Sequence, residues 1–228
     1  MVIPVPVRTA GLFLAGSLIC FVVPPLAAGL FAADGTPVVL LAVAGAELVS
    51  AVLLITWWLR RHGFDHRTLG LTSRHWRRDT LIAAATVPPR LLLEFGVLLP
   101  ASGGAANPEV QEILRMTTGG AVAVAAALVL GVVGGGIAEE LYFRGFLLGA
   151  IPHRFTRPRV ALRVAAVVSV LLFGLLHLPA NALNALSIAV AGLVYTGLFL
   201  ATRRLTAAVV AHALWNTAAV GAVLVSYG

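Results

Sequence analysis

The stretch VAAVVSVLLFGLLHLPANALNALSIAVAGLVYTGLFLAT, residues 164–202, contains no Asp, Glu, Lys or Arg. A helix rising 1.5 Å per residue crosses ~30 Å of hydrocarbon in about 20 residues. This run is therefore long enough for two spans. Pro179 disfavours helix at the residue before it, so His177-Leu178-Pro179-Ala180-Asn181 reads as the turn between them. Working outward, the same test marks residues 9–33, 35–59, 80–100, 117–138 and 205–228. The first of these is too long for a signal-peptide core and reads as a retained span. Together they predict an all-α, polytopic transmembrane bundle of about seven spans, with bounds of six and eight. It forms a single integral-membrane domain over residues 1–228. Composition agrees: 60% of residues are apolar and 11% charged, which excludes a disordered chain and a soluble enzyme.

The charged residues are few enough to place one by one. All sixteen basic residues are arginine. Arg8 precedes the first span. Arg60, Arg61, Arg67, Arg74, Arg77 and Arg78 lie between spans two and three. Arg154, Arg157, Arg159 and Arg163 lie between spans four and five, and Arg203 and Arg204 between six and seven. These thirteen fall on one side, and only Arg115 falls on the other. The positive-inside rule then predicts a cytoplasmic N-terminus in the cell membrane. It also explains the net charge of +7 without nucleic acid as a partner. Residues 60–79 form a cytoplasmic basic loop, either a short amphipathic surface element or a solvated connection. The lone Cys20 forms no internal disulfide. Asp34, Asp65, Asp79, Glu109 and Glu112 fall in loops, and Glu47 reads as structural. Arg90 and Glu94, four apart inside span three, read as a self-neutralising pair. His62, His66, His75 and His153 read as solvated loop histidines.

Charge inside a membrane is costly and marks function by default. Span four runs into Glu139-Glu140-Leu-Tyr-Phe-Arg144, span five contains Phe173-Gly-Leu-Leu-His177, and span seven contains His212-Ala-Leu-Trp-Asn216. Within each, residues four apart share a helical face. Carboxylates at a helix C-terminus oppose the macrodipole, so span four is expected to continue past Glu140. Counted from the arginine-bearing interface at 1.5 Å per residue, Glu140, His177 and His212 lie about 15, 21 and 12 Å deep. Three helices can thus gather two carboxylates, two imidazoles and an amide within the membrane near the cytoplasmic side. That set suits activation of a water by a carboxylate base, with hydrogen-bond donors for an oxyanion. No Gly-x-Ser-x-Gly or His-Glu-x-x-His motif is present. The glycines from Gly131 to Gly136 lack the Lys-Ser/Thr of a phosphate loop and are expected to permit close helix packing.

In order, spacing and helix placement, the three motifs resemble the signature of the CPBP family. These are the CAAX prenyl endopeptidases and the related bacterial Abi proteins. The similar core covers about residues 117–225. The resemblance implies an intramembrane endopeptidase acting on a membrane-associated protein or peptide in the lipid bilayer. It gives Glu139 and His177 the activation of water, and His212 and Asn216 the oxyanion. Glu140 and Arg144 would serve in positioning. No obligatory cofactor is expected. Zinc stays open, since Glu139, His177 and His212 make a workable ligand set. Two other classes remain beside the protease: a non-catalytic membrane partner or bacteriocin-immunity-type protein on the same fold, and a proton-coupled transporter built on Glu and His relays.

Overall fold

A computed structural model describes residues 5–30 and 35–228, with side chains from residue 11 onward. Asp34 and the side chain of Arg8, both placed above from sequence, lie outside the described residues. Every regular element among the described residues is helical. The elements are α1 (Val5–Phe21), α2 (Val23–Gly29), α3 (Pro37–His62), α4 (Trp76–Ala101), α5 (Pro108–Thr117), α6 (Ala121–Arg154), α7 (Pro158–Leu176), α8 (Ala182–Thr202) and α9 (Leu205–Tyr227). Seven helical stretches are long and apolar enough to cross a membrane, α1 and α2 supplying one of them. The protein is a multi-pass membrane protein.

α6 runs through the middle of the bundle, packed between α3 and α9, with α7 against its second half. α8 fills the angle between α7 and α9, and α4 lies along α9. The glycines of α6 let these neighbours approach. A Cβ on Gly136 would sit 2.9 Å from Cβ of Ala213 in α9, and one on Gly134 would strike the Glu47 carboxyl from α3. The main core lies in the second half of α6. Tyr142, Phe143, Phe146 and Leu147 are buried there against Trp58, Phe173, Tyr195 and Leu205. Leucines such as Leu53, Leu92, Leu171 and Leu193 stay exposed on the outer faces, where hydrocarbon would cover them.

The arginine-bearing connections gather at one end. Leu205 N–H donates to Gly70 O at 3.0 Å, and Arg204 forks onto Asp79 at 2.5 and 2.6 Å. At the other end Asn107 and Asn184 exchange amide hydrogen bonds of 3.0 and 3.3 Å, tying the start of α5 to the start of α8.

Several local expectations change. α3 runs through Arg60, Arg61 and His62, so the basic connection is only residues 63–75. Leu69 within it is buried under α6, so it is not a plain solvated loop. Asp79 is no loop residue: it opens α4, fully buried, as the partner of Arg204. Glu109 and Glu112 belong to α5, whose mixed apolar and polar pattern is too short to read as a span. His62 bonds Trp58 O at 2.8 Å and lies against the Trp58 ring, tilted by 32° with centroids 4.4 Å apart. Pro88 and Pro89 fall in the first turn of a new helical segment after Thr86, where a missing N–H costs nothing. Span three therefore continues through them.

Candidate active site

α6 carries the first motif past the point where its apolar run ends. Glu140 sits at a junction between two stretches of wide, π-helical turn, Leu130–Glu139 and Leu141–Ala150. Such turns are rare and concentrate at functional sites. Here a local cause is visible. Asn216 of α9 inserts its amide and donates to Gly131 O at 2.8 Å, and a side chain entering the carbonyl ladder distorts a helix.

Glu140 and Arg144 are both fully buried and joined at 2.8 Å between Oε1 and Nη1. The same Oε1 lies 2.9 Å from His212 Nδ1. Arg144 also donates to Gly192 O at 3.2 Å and lies over the Phe173 ring at 4.7 Å. The pair is neutral as a unit. Removing either member would leave a buried charge unpaired, at a cost of about 3–5 kcal/mol. As the carboxylate partner of an arginine, Glu140 accepts, so His212 Nδ1 donates. His212 Nε2 is then a lone pair in the neutral ring and a second donor in the imidazolium. It faces Gly135: a Cβ there would lie 3.2 Å from His212 Nε2 and 2.6 Å from Asn216 Nδ2. The missing side chain of Gly135 keeps those two nitrogens open to a shared point.

His177 caps α7, its ring exposed at the edge of a cavity. Its Nδ1 lies 2.8 Å from Phe173 O. A carbonyl oxygen only accepts, so Nδ1 carries the hydrogen and Nε2 presents a lone pair. His62 makes the same i−4 contact on α3, so the bond alone is an ordinary helix-end device. What distinguishes His177 is its place. The Phe173 ring stands between the two histidines, with its centroid 4.4 Å from the His177 ring and 5.9 Å from that of His212.

The cavity, about 330 Å³, is walled by His177, His212 and Asn216 together with Arg90, Tyr195 and Trp215. It continues along Val110 of α5 to Val223 near the end of α9. Its long axis thus leads to the arginine-poor end. On the arginine side the floor is packed solid by Tyr142, Phe146, Leu147, Ala207 and Ala208. His212 lies seven residues into α9 from its arginine-side start, in keeping with the depth expected from sequence, while the cavity leads away from that end. His177 terminates α7, as its place at the turn predicts, but α7 begins at Pro158, so it lies nineteen residues on from the arginine-side start.

Glu139 is only half-buried, with Oε2 buried and unpartnered. It is absent from the cavity wall. Among the described residues no hydrogen bond joins Glu139 to His177, and no three His, Cys, Asp or Glu side chains converge as metal ligands. The Glu139, His177 and His212 set therefore does not fit a zinc ion in this arrangement.

Three contributors escaped the sequence reading. Tyr195 stacks on His212 at 4.5 Å. Arg90 donates to Tyr195 OH at 2.5 Å and lies 3.6 Å over the Trp215 ring. It does so instead of pairing with Glu94, whose carboxylate takes the Ser187 hydroxyl. The one signal for them was an arginine and a tyrosine inside otherwise apolar spans.

Residues 121–218 match the family model for Rce1-like proteins, described as type II CAAX prenyl endopeptidase Rce1-like. The matched segment contains all three motifs, from Glu139 to Asn216, in agreement with the resemblance to the CPBP family. No curated protein and no solved structure matches the chain.

Proposed function

We propose that this protein is an intramembrane endopeptidase that hydrolyses a peptide bond in a membrane-associated protein or peptide. The observation that carries the reading is the convergence of His212 Nε2 and Asn216 Nδ2 over Gly135, beside the buried Glu140–Arg144–His212 network. Two nitrogens that meet beside one cavity suit the oxyanion of a tetrahedral intermediate, His212 donating as an imidazolium and Asn216 through the second N–H of its amide. For His212 to donate from Nε2 its ring must be protonated, so it also has a proton to give.

In this mechanism a water loses a proton to the basic pair Glu139 and His177, the latter through its free Nε2. The water oxygen attacks the scissile carbonyl carbon, and the oxyanion is held by His212 and Asn216. The C–N bond breaks as the departing amine takes the proton. Glu140 fixes the His212 tautomer, and Arg144 holds Glu140. Glu139, absent from the cavity wall, must turn toward the cavity when substrate arrives, a tightening common between free and bound sites. No step is routed through a metal.

The test is cleavage by purified protein in lipid vesicles. Glu139→Gln, His177→Ala and His212→Ala should each abolish it while leaving the protein folded, and exhaustive chelation should leave the wild type active. Full activity in any one variant contradicts the assignment. Chelation loss restored by zinc contradicts the metal-free form.

One observation favours a second reading. Glu139 stands outside the cavity wall, as it could in a non-catalytic membrane partner on the same scaffold. Such a protein would keep its full biological effect with Glu139→Gln.

A further inference from the structure

At the arginine-bearing end the loop before α4, the end of α6, the start of α7 and the end of α8 enclose a second concavity of about 390 Å³. Arg67 from the loop before α4, Arg159 from the first turn of α7 and Arg203 from the end of α8 line it, with His153 beside them. Its wall contains no carboxylate. Three other arginines of the described chain pair with acids, Arg204 with Asp79, Arg144 with Glu140 and Arg115 with Glu112. The side chains of Arg67, Arg159 and Arg203 make no hydrogen bond or ion pair with any described residue. The nearest acid in sequence, Asp65, is engaged by the Arg67 backbone N–H at 3.0 Å and by His66 at 2.8 Å.

Two further features favour an anion in this hollow. α7 begins at its rim with Pro158 and has no side-chain cap. The free N–H groups of its first turn add positive potential there. The inner wall is apolar, formed by Leu148, Leu162 and Phe199. Orientation alone requires arginines in loops. It does not require three separate parts of the chain to bring theirs around one apolar-floored hollow.

We propose that this concavity binds the phosphate headgroup of an anionic phospholipid. The phosphate meets Arg67, Arg159 and Arg203, and the glycerol and upper acyl segments cover Leu162 and Phe199. The site lies where the spans meet the bilayer surface, so the acyl chains need not leave the membrane. Basic hollows between spans hold anionic headgroups by this chemistry. The proposal is independent of the protease reading.

The test uses the full chain in phosphatidylcholine micelles, titrated with phosphatidylglycerol and read by thermal stability and by lipid retention in native mass spectrometry. Phosphatidylglycerol should raise the melting temperature, and added phosphatidylcholine should not. Each of Arg67→Gln, Arg159→Gln and Arg203→Gln should weaken binding about fivefold, and the triple variant roughly a hundredfold. A triple change of equal charge elsewhere, Arg60→Gln with Arg61→Gln and Arg74→Gln, should leave binding within about twofold of wild type. Equal loss in that control overturns the proposal, because diffuse surface charge then explains the effect. Equal retention of phosphatidylcholine overturns it too. Inorganic phosphate giving the same stabilisation in the absence of anionic lipid would contradict a lipid occupant. If the triple variant does not fold, the single variants decide.

Discussion

At Glu140 one carboxylate oxygen serves both Arg144 and His212, and this bond fixes which nitrogen of His212 faces the cavity. The residue that leaves room for that nitrogen is Gly135. Gly135→Ala should therefore lower kcat/KM by about a hundredfold, the cost of disturbing one oxyanion donor. It should not unfold the protein, since Ala in a helix is favoured over Gly by about 0.5–1 kcal/mol. Gly221→Ala, where an added methyl meets open space, should keep full activity in the same cleavage assay. At this scale the sequence was most legible where a residue type is expensive in a membrane. Glu139, Glu140, Arg144, His177, His212 and Asn216 could all be singled out that way. It was least legible for Tyr195 and Trp215, because aromatic side chains are ordinary in an apolar span and only packing assigns them a partner. Asp79 was misplaced for the opposite reason. A carboxylate beside arginines reads as surface until the fold brings Arg204 from the far end of the chain onto it.

Among the elements, α6 was read correctly as continuing through Glu140, because carboxylates make a poor helix C-terminus. Its wide turns were not readable, since they depend on what α3 and α9 press against the glycines. α5 was missed as a helix. Val110 of α5 packs against Leu99 and Val223 and lines the arginine-poor end of the cavity, an apolar contact that ten residues of mixed character do not announce. Glu109, on the same helix, has its carboxyl pushed above the usual carboxylate range by burial at the cavity mouth, with an Asn184 hydrogen bond opposing the shift. A carboxyl raised in the folded state contributes stability at low pH and loses it as pH rises through the folded value. Glu109→Gln, which cannot ionise, should therefore gain thermal stability relative to wild type at pH 8.5 and show less gain at pH 5. Melting curves at the two pH values check it, and an equal effect at both would argue against the shift.

On the scale of the whole molecule, thirteen arginines sorted the spans into an alternating order. The fold returns that order as contacts: Gly70 with Leu205 at one end, and Asn107 with Asn184 at the other. The number of spans was legible because bilayer thickness sets it. The direction of the cavity was not, because it depends on which side chains from distant helices pack beneath the site. In a Cys20→Ser background, Arg74→Cys should react with a membrane-impermeant thiol reagent only from the cytoplasmic face. Ala105→Cys, in the connection before α5, should react only from the opposite face. The reverse pattern would invert the topology and, with it, the compartment on which the cavity opens. The account as a whole stands on peptide hydrolysis at the intramembrane polar site. The most direct measurement compares the peptides in membranes of cells carrying the wild type with those carrying Glu139→Gln. It predicts one or more membrane-associated peptides that persist uncleaved with Glu139→Gln and are shortened when the wild type is restored. Identical peptide inventories, with both proteins present at equal levels, would contradict it.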